Sequence, residues 1–226
     1  MRYENICSGK FISRPNRFIA HVEIGGTVEI CHVKNTGRCR ELLVPGSQVY
    51  LERSSNPQRK TKYDLIAVEK GKLLVNMDSQ APNKVFREFA ESGAFRKDLK
   101  QIRGEYTWGD SRFDFLLEDE MGLTFVEVKG VTLEDDGVVR FPDAPTERGV
   151  KHLNGLKRAV EEGHRAAVFF VIQMEGMKCF GPNDATHPAF GDALREAAAA
   201  GVEVLAYECR VTPDTLEIAR PVPVVL

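Results

Sequence analysis

The 226-residue chain changes its hydrophobic rhythm once, at Ala81-Pro82-Asn83, and that change limits the folds open to it. Ahead of it, apolar residues come in short runs broken by turn signals. Phe18 to Ile24 leads into Gly25-Gly26 and then Thr27 to Val33; strand-forming residues on both sides of a Gly-Gly pair predict a β-hairpin. Val49–Leu51, Tyr63–Val68 and Lys72–Val75 read as further short strands. One brief helical turn is expected near Arg38–Leu43, closed off by Pro45-Gly46. Five short strands with a single small helix predict a compact OB-like β-barrel over residues 1–82.

Past residue 83 the spacing becomes helical. Val85, Phe86, Phe89, Ala90 and Phe95 recur at helix period, with Asn83 as the expected N-cap. Strands are expected at about 101–106, 113–118 and 124–129, then an acidic loop at Glu134-Asp135-Asp136-Gly137. A long helix from about Pro145 to Glu162, an apolar strand (Ala166–Ile172), a helix (Pro188–Ala200) and a strand (Val202–Tyr207) complete the pattern. The order α-β-β-β-α-β-α-β over residues 83–226 predicts a mixed sheet with helices on both faces.

The net charge of -2 conceals an asymmetry: residues 1–83 carry 13 Lys and Arg against 8 Asp and Glu, and residues 84–226 carry 18 against 25. A basic first module is a natural landing place for phosphates. With 28% charged residues and no apolar run long enough to cross a bilayer, a soluble protein with no membrane partner is expected. Met1 to Cys7 lacks the apolar core of a signal peptide, so the expected location is cytoplasmic. The five cysteines form no Cys-x-x-Cys pair, and Cys31-His32…Cys39 fits no common zinc spacing, so packed, reduced thiols are expected.

The segment that carries chemistry is Ser111-Arg112-Phe113-Asp114-Phe115, followed by Glu127-Val128-Lys129. Alternation on a strand puts Glu127 and Lys129 on one face. If a neighbouring strand brings Asp114 beside Glu127, the two carboxylates repel unless a cation lies between them, and hard oxygen ligands select Mg²⁺ or Mn²⁺. Lys129 then lies beside metal and scissile phosphate, where it can orient an attacking water. Taken alone, Glu-x-Lys is an ordinary ion pair; the apolar strands around it, which make unpaired charge expensive, raise its significance. In the following helix Val150, Leu153, Leu156 and Val160 form a core stripe, while Arg148, Lys151 and His152 share a face suited to phosphate oxygens.

In the first half, Asn35-Thr36-Gly37-Arg38-Cys39-Arg40 follows a strand. Arg38 is the first choice for nucleic-acid contact, with Asn35, Arg40, Arg14 and Arg17 extending the surface. Phe18 and Tyr50 are either base-stacking platforms or core residues.

These residues resemble a known family. Asp114 with Glu127-Val128-Lys129 is similar to the PD-(D/E)xK nuclease superfamily, with Phe113 standing where the name has Pro. More narrowly, His32-Val-Lys-Asn-Thr-Gly-Arg38, Ser111–Phe115, Val126–Lys129, Phe141–Arg148 and Lys151-His152 resemble the sugar fermentation stimulation protein A family of prokaryotic DNA-binding proteins. The resemblance implies an OB-like domain followed by a restriction-endonuclease-like domain. It implies metal binding by Asp114, Glu127 and the Val128 backbone carbonyl, with Lys129 in the catalytic position. It also implies an acidic residue from the first helix, for which Glu88 is the candidate and Glu91 the second. Arg112 is carried with the first motif as a nucleic-acid contact. The expected function is DNA binding with a Mg²⁺- or Mn²⁺-dependent nuclease site. A non-catalytic DNA-binding regulator of sugar-utilisation genes and an RNA-processing nuclease are the alternatives, and a homodimer is left open.

Overall fold

The computed structural model describes residues 1–35 and 37–226; Thr36 lies outside the described residues. Six strands form the first sheet: β1 (Ile6–Asn16), β2 (Ile19–Ile24), β3 (Thr27–Val33), β4 (Gln48–Arg53), β5 (Tyr63–Lys70) and β6 (Leu73–Asn76). Their order is β3-β2-β1-β4-β5-β6, and a further β3–β5 pairing closes β1 to β5 into the OB barrel. Alternating inward residues, among them Ala20, Val22, Cys31, Val33, Val49 and Leu51, fill its interior. The helical turn expected at Arg38–Leu43 is a turn only, with the Leu43 N–H donating to the Cys39 carbonyl at 2.9 Å.

β1 was not legible as a strand, because it serves two partners. Residues 6–10 pair with β4 and residues 10–16 with β2, and register shifts on the β2 side disturb the alternation. Gly9 sits at the crossing: a Cβ there would lie 2.5 Å from Val22 Cγ1 and 2.8 Å from the Glu23 carbonyl oxygen. Only glycine permits that approach.

The second sheet runs β15-β14-β12-β9-β8-β7. Its strands are β7 (Gln101–Trp108), β8 (Ser111–Asp119), β9 (Gly122–Val131), β12 (Arg165–Ile172), β14 (Glu203–Val211) and β15 (Leu216–Pro221). β9, β12 and β14 are parallel, and the flanking pairs β7–β8, β8–β9 and β14–β15 are antiparallel. Helix α1 (Ala81–Glu91) covers one face through Val85, Phe86 and Ala90, against Phe115, Val126, Val128 and Phe169. Helices α2 (Glu147–Glu161) and α3 (Pro188–Ala199) cover the other, with Leu153, Leu156, Phe190 and Leu194 against Phe113, Phe125, Val168 and Phe170. This is the mixed sheet expected from the sequence, extended by β15 and by a small third sheet.

That third sheet joins β10 (Leu133–Asp135), β11 (Val138–Phe141) and β13 (Cys179–Pro182). The acidic segment read as a loop is the tip of the β10–β11 hairpin, where Asp136 and Gly137 both take positive φ (47° and 79°), as a tight two-residue hairpin turn requires. Helix starts also differ from expectation. Asn83 lies inside α1, whose N-cap is Gln80, and α2 is capped by Thr146, whose Oγ1 accepts the Gly149 N–H at 3.1 Å.

Barrel and second sheet are joined by buried polar groups. Gln173, at the end of β12, donates to Asn76 Oδ1 (2.9 Å) and the Asp78 carbonyl (3.0 Å); Asn76 donates to the Tyr3 hydroxyl (3.0 Å). Lys70 of β5 reaches Glu134 of the hairpin at 2.5 Å. The first three residues, assigned by sequence to the barrel, run instead beside β15: the Tyr3 N–H donates to the Asp214 carbonyl and the Leu216 N–H to that of Met1.

Barrel closure places His32 opposite Asp64 in the β3–β5 pair. Asp64 is buried and takes His32 Nδ1 (2.9 Å) and two bonds from Arg59 (2.7 Å each), with Lys34 Nζ at 3.5 Å. Burial pushes its carboxyl up, but these donors outweigh burial and hold it at about 2, below the usual 3.8. A depressed acid contributes stability above its unfolded pKa and loses it as pH falls through the folded one. Asp64 is therefore expected to add about 2 kcal/mol near neutral pH, lost as pH falls from about 3.8 to about 2. Urea unfolding of wild type and Asp64→Asn at descending pH checks this: the gap between them closes in that window.

Candidate metal centre

β8 and β9 run antiparallel, but their backbone pairing stops at Phe115↔Val126. Beyond it the Val128 N–H is taken by a side chain, Asp114 Oδ2, at 2.8 Å. The alternation of β8 slips at the same place. Phe115 and Leu117 pack on the α1 face, whereas Phe113 joins the core on the α2 face. β7 follows the distortion: Gly104 pairs with Phe115 and Tyr106 with Phe113, and Glu105 between them takes a φ of 54°. Asp114 is thus turned out of the ladder towards β9. Its other oxygen accepts a hydrogen bond from Asn83 Nδ2 of α1 at 2.9 Å.

Glu127, on β9, points to the opposite face from Val126 and Val128 and is 2% exposed. Its Oε1 takes Lys129 Nζ at 2.5 Å and His152 Nδ1 from α2. Its Oε2 is buried and has no hydrogen-bond partner among the described residues. Burial pushes the Glu127 carboxyl up, but the His152 hydrogen bond and the Lys129 charge overcome it, leaving the pKa below the usual range. Asp114 goes the other way: burial and the charge of Glu127 raise its pKa against the Val128 N–H and Asn83. The ionised Glu127 thus opposes ionisation of Asp114 in a buried site, and one of its own oxygens is left idle.

Among the described residues no three His, Cys, Asp or Glu side chains converge as metal ligands. A cation held here rests on Asp114 and Glu127, with main-chain, water or phosphate oxygens completing the set, as Mg²⁺ accepts. Glu88 is not brought to the site; it pairs with the Met1 ammonium at 2.6 Å, and Glu91 pairs with Arg87 at 3.6 Å. The α1 residue that does reach the site is Asn83, read from the sequence as a cap. His152, read as part of a phosphate-holding face, points inward instead and is 6% exposed. Arg148 and Lys151 remain on the outer face of α2, Lys151 with Asp110 at 3.8 Å. Arg112 is exposed and pairs with Glu105 at 2.7 Å.

On the barrel, Arg17, Arg38 and Arg40 line one groove together with Ala144, just ahead of α2. None of the three has a carboxylate partner among the described residues. Arg14, expected on that surface, is spent on the loop: its guanidinium donates to the carbonyls of Arg17, Asn35, Gly37 and Arg38 at 2.6–2.8 Å. Asn35 is likewise committed, donating to the Met77 carbonyl (2.9 Å) and accepting the Gly37 N–H (2.7 Å). Phe18 is half exposed at the β1–β2 turn, with Arg17 over its ring at 5.6 Å, and Tyr50 donates to Glu69 at 2.8 Å. No sequence signal marked Asn83 as a partner of Asp114 or the loop role of Arg14, since both depend on what the fold brings near.

Residues 12–77 match the family model described as the SfsA N-terminal OB domain, and residues 80–215 match the sugar fermentation stimulation protein RE domain. The chain belongs to the sugar fermentation stimulation protein family. A sugar fermentation stimulation protein homolog of Desulfitobacterium hafniense is 60% identical over 217 residues, covering 96% of this chain and 95% of its own length. One from Clostridium beijerinckii is 53% identical across all of both chains. The structure of Pyrococcus furiosus SfsA in complex with Ca²⁺ matches with a TM-score of 0.90 at 27% identity, covering 100% of this chain and 98% of the other. No helix among the described residues is long and apolar enough to cross a membrane.

The effect of Glu127 on Asp114 is measurable without metal. In Glu127→Gln the charge opposing ionisation of Asp114 is gone, so the Asp114 pKa is expected to fall towards the ordinary carboxylate range. A ¹³C-detected carboxyl titration of both proteins reads the shift.

Proposed function

We propose that this member of the family is a Mg²⁺- or Mn²⁺-dependent DNA hydrolase of the nuclease type, in which the barrel grips and the second domain cuts. The observation that carries the reading is the buried, unpartnered Oε2 of Glu127 beside the raised carboxyl of Asp114. The solved relative in complex with Ca²⁺, a hard divalent cation, supports it. A divalent cation bound there polarises a phosphoryl oxygen and activates a water. The chain's own groups do the rest. Val128 N–H and Asn83 hold Asp114 in place. Lys129, at 2.5 Å from Glu127 Oε1, is placed to orient the attacking water and to offset negative charge gathering on the phosphate. Arg148 and Lys151 on α2, with Arg17, Arg38 and Arg40 on the barrel, supply cations for the phosphodiester backbone.

DNA is the proposed substrate because the family resemblance is to DNA-binding proteins; matched single-stranded RNA is the control that tests it. With Mg²⁺ or Mn²⁺ the purified protein is expected to cut DNA. Asp114→Ala and Lys129→Ala each lower cutting by about 100-fold or more while gel-shift binding is kept. Cutting unchanged by both substitutions would trace it to a contaminant and remove the hydrolytic reading. A second measurement isolates the grip. Replacing Arg17, Arg38 and Arg40 together by Ala is expected to weaken DNA binding and to flatten the slope of log K against log[salt] by roughly 2–3, one counterion per lost phosphate contact.

A further inference from the structure

The two donors on Glu127 Oε1 are of different kinds. Lys129 hangs from the same strand, two residues away, on a flexible stem, and follows Glu127 wherever β9 goes. His152 comes from a different element. It is buried on α2 between turns whose Leu153 and Leu156 are core residues, so its ring cannot withdraw without unpacking the helix. It ties the rotamer of a strand carboxylate to the helix layer that covers the same face of the sheet.

One turn earlier on α2, Arg148 Nε donates to His152 Nε2 at 3.4 Å. A guanidinium has no acceptor, so Nε2 must accept, which puts the imidazole proton on Nδ1 and makes Nδ1 the donor to Glu127. Glu127 Oε1, an acceptor only, calls for the same Nδ1–H, and the exposed Arg148 keeps Nε2 of the buried ring as an acceptor. The result is a chain of hydrogen bonds from the α2 surface to Glu127 Oε1, while Oε2 stays without a partner.

We propose that His152 is a positioning residue for cation binding: held as the Nδ1–H tautomer between Glu127 and Arg148, it pins Glu127 Oε1 and leaves Oε2 as the oxygen offered to a divalent cation. This rests on the metal-site reading above and names the helix-borne groups that tune that site. Groups that orient a ligating carboxylate typically govern metal affinity by about 10- to 100-fold.

The test is Mn²⁺ affinity by calorimetry on the full chain, with thermal melts confirming that each variant is folded. His152→Leu fills the site without a donor and is expected to weaken Mn²⁺ binding by about 10- to 100-fold. His152→Asn places an amide N–H near the position of Nδ1 and is expected to recover most of that loss, which a pure packing role does not predict. Long-range ¹H–¹⁵N spectra of the metal-free wild type at about pH 8 are expected to show His152 protonated at Nδ1. Equal Mn²⁺ affinity in wild type, His152→Leu and His152→Asn overturns the proposal and leaves the metal site standing; so does a wild-type ring protonated at Nε2. A wild type that binds no Mn²⁺ removes the metal site itself, and this inference with it. If His152→Leu does not fold, the wild-type tautomer still decides.

Discussion

A carboxylate buried near the middle of a six-stranded sheet has to be compensated, and much of the local architecture around Glu127 follows from that requirement. Left unpaired, such a charge costs several kcal/mol, and the group would normally neutralise instead. Here its ionisation is favoured by Lys129 and His152 on one oxygen. The other oxygen is left free, and the neighbouring strand gives up its ladder at that point so that a second carboxylate can approach. The interruption of β8–β9 pairing, the positive φ of Glu105 and the Asn83–Asp114 bond are local consequences of placing two acids where a regular sheet would place hydrogen-bonded backbone.

The barrel is held to this centre by polar groups that are themselves buried, Tyr3, Asn76, Asp78 and Gln173. Each finds its partner across the joint, and a half-satisfied network of this kind would cost more than an apolar one. The consequence is positional. The loop shaped by Arg14 presents Arg38 and Arg40 next to Ala144, and so alongside the start of the helix that carries His152.

Much of the architecture was legible because it is written in period. The Gly25-Gly26 hairpin, the helix after Pro82 and the apolar strand Ala166–Ile172 each bury a face whose spacing is visible in one dimension. β1 was not, because it changes partners at Gly9 and its register slips. β13 and β15 were not, because a short strand, and one with only two buried residues, carry too little alternation to read. At the centre, Asp114 and Glu-x-Lys stood out as charges inside apolar strands. Glu88 was a poorer reading: helix α1 has the right acids on the wrong side, where one of them meets the chain's own amino terminus.

Sequence alone determined the division into a barrel and a mixed sheet, the strands that carry Asp114, Glu127 and Lys129, and the common face of the last two, since all of these follow from periodicity along the backbone. Tertiary structure decided which groups surround the carboxylates. Whether His152 faces solvent or Glu127, whether Asn83 caps a helix or holds Asp114, and whether Arg14 meets phosphate or its own loop depend on packing angles and strand divergence. Those are set by contacts between residues far apart in the chain, and no local spacing encodes them.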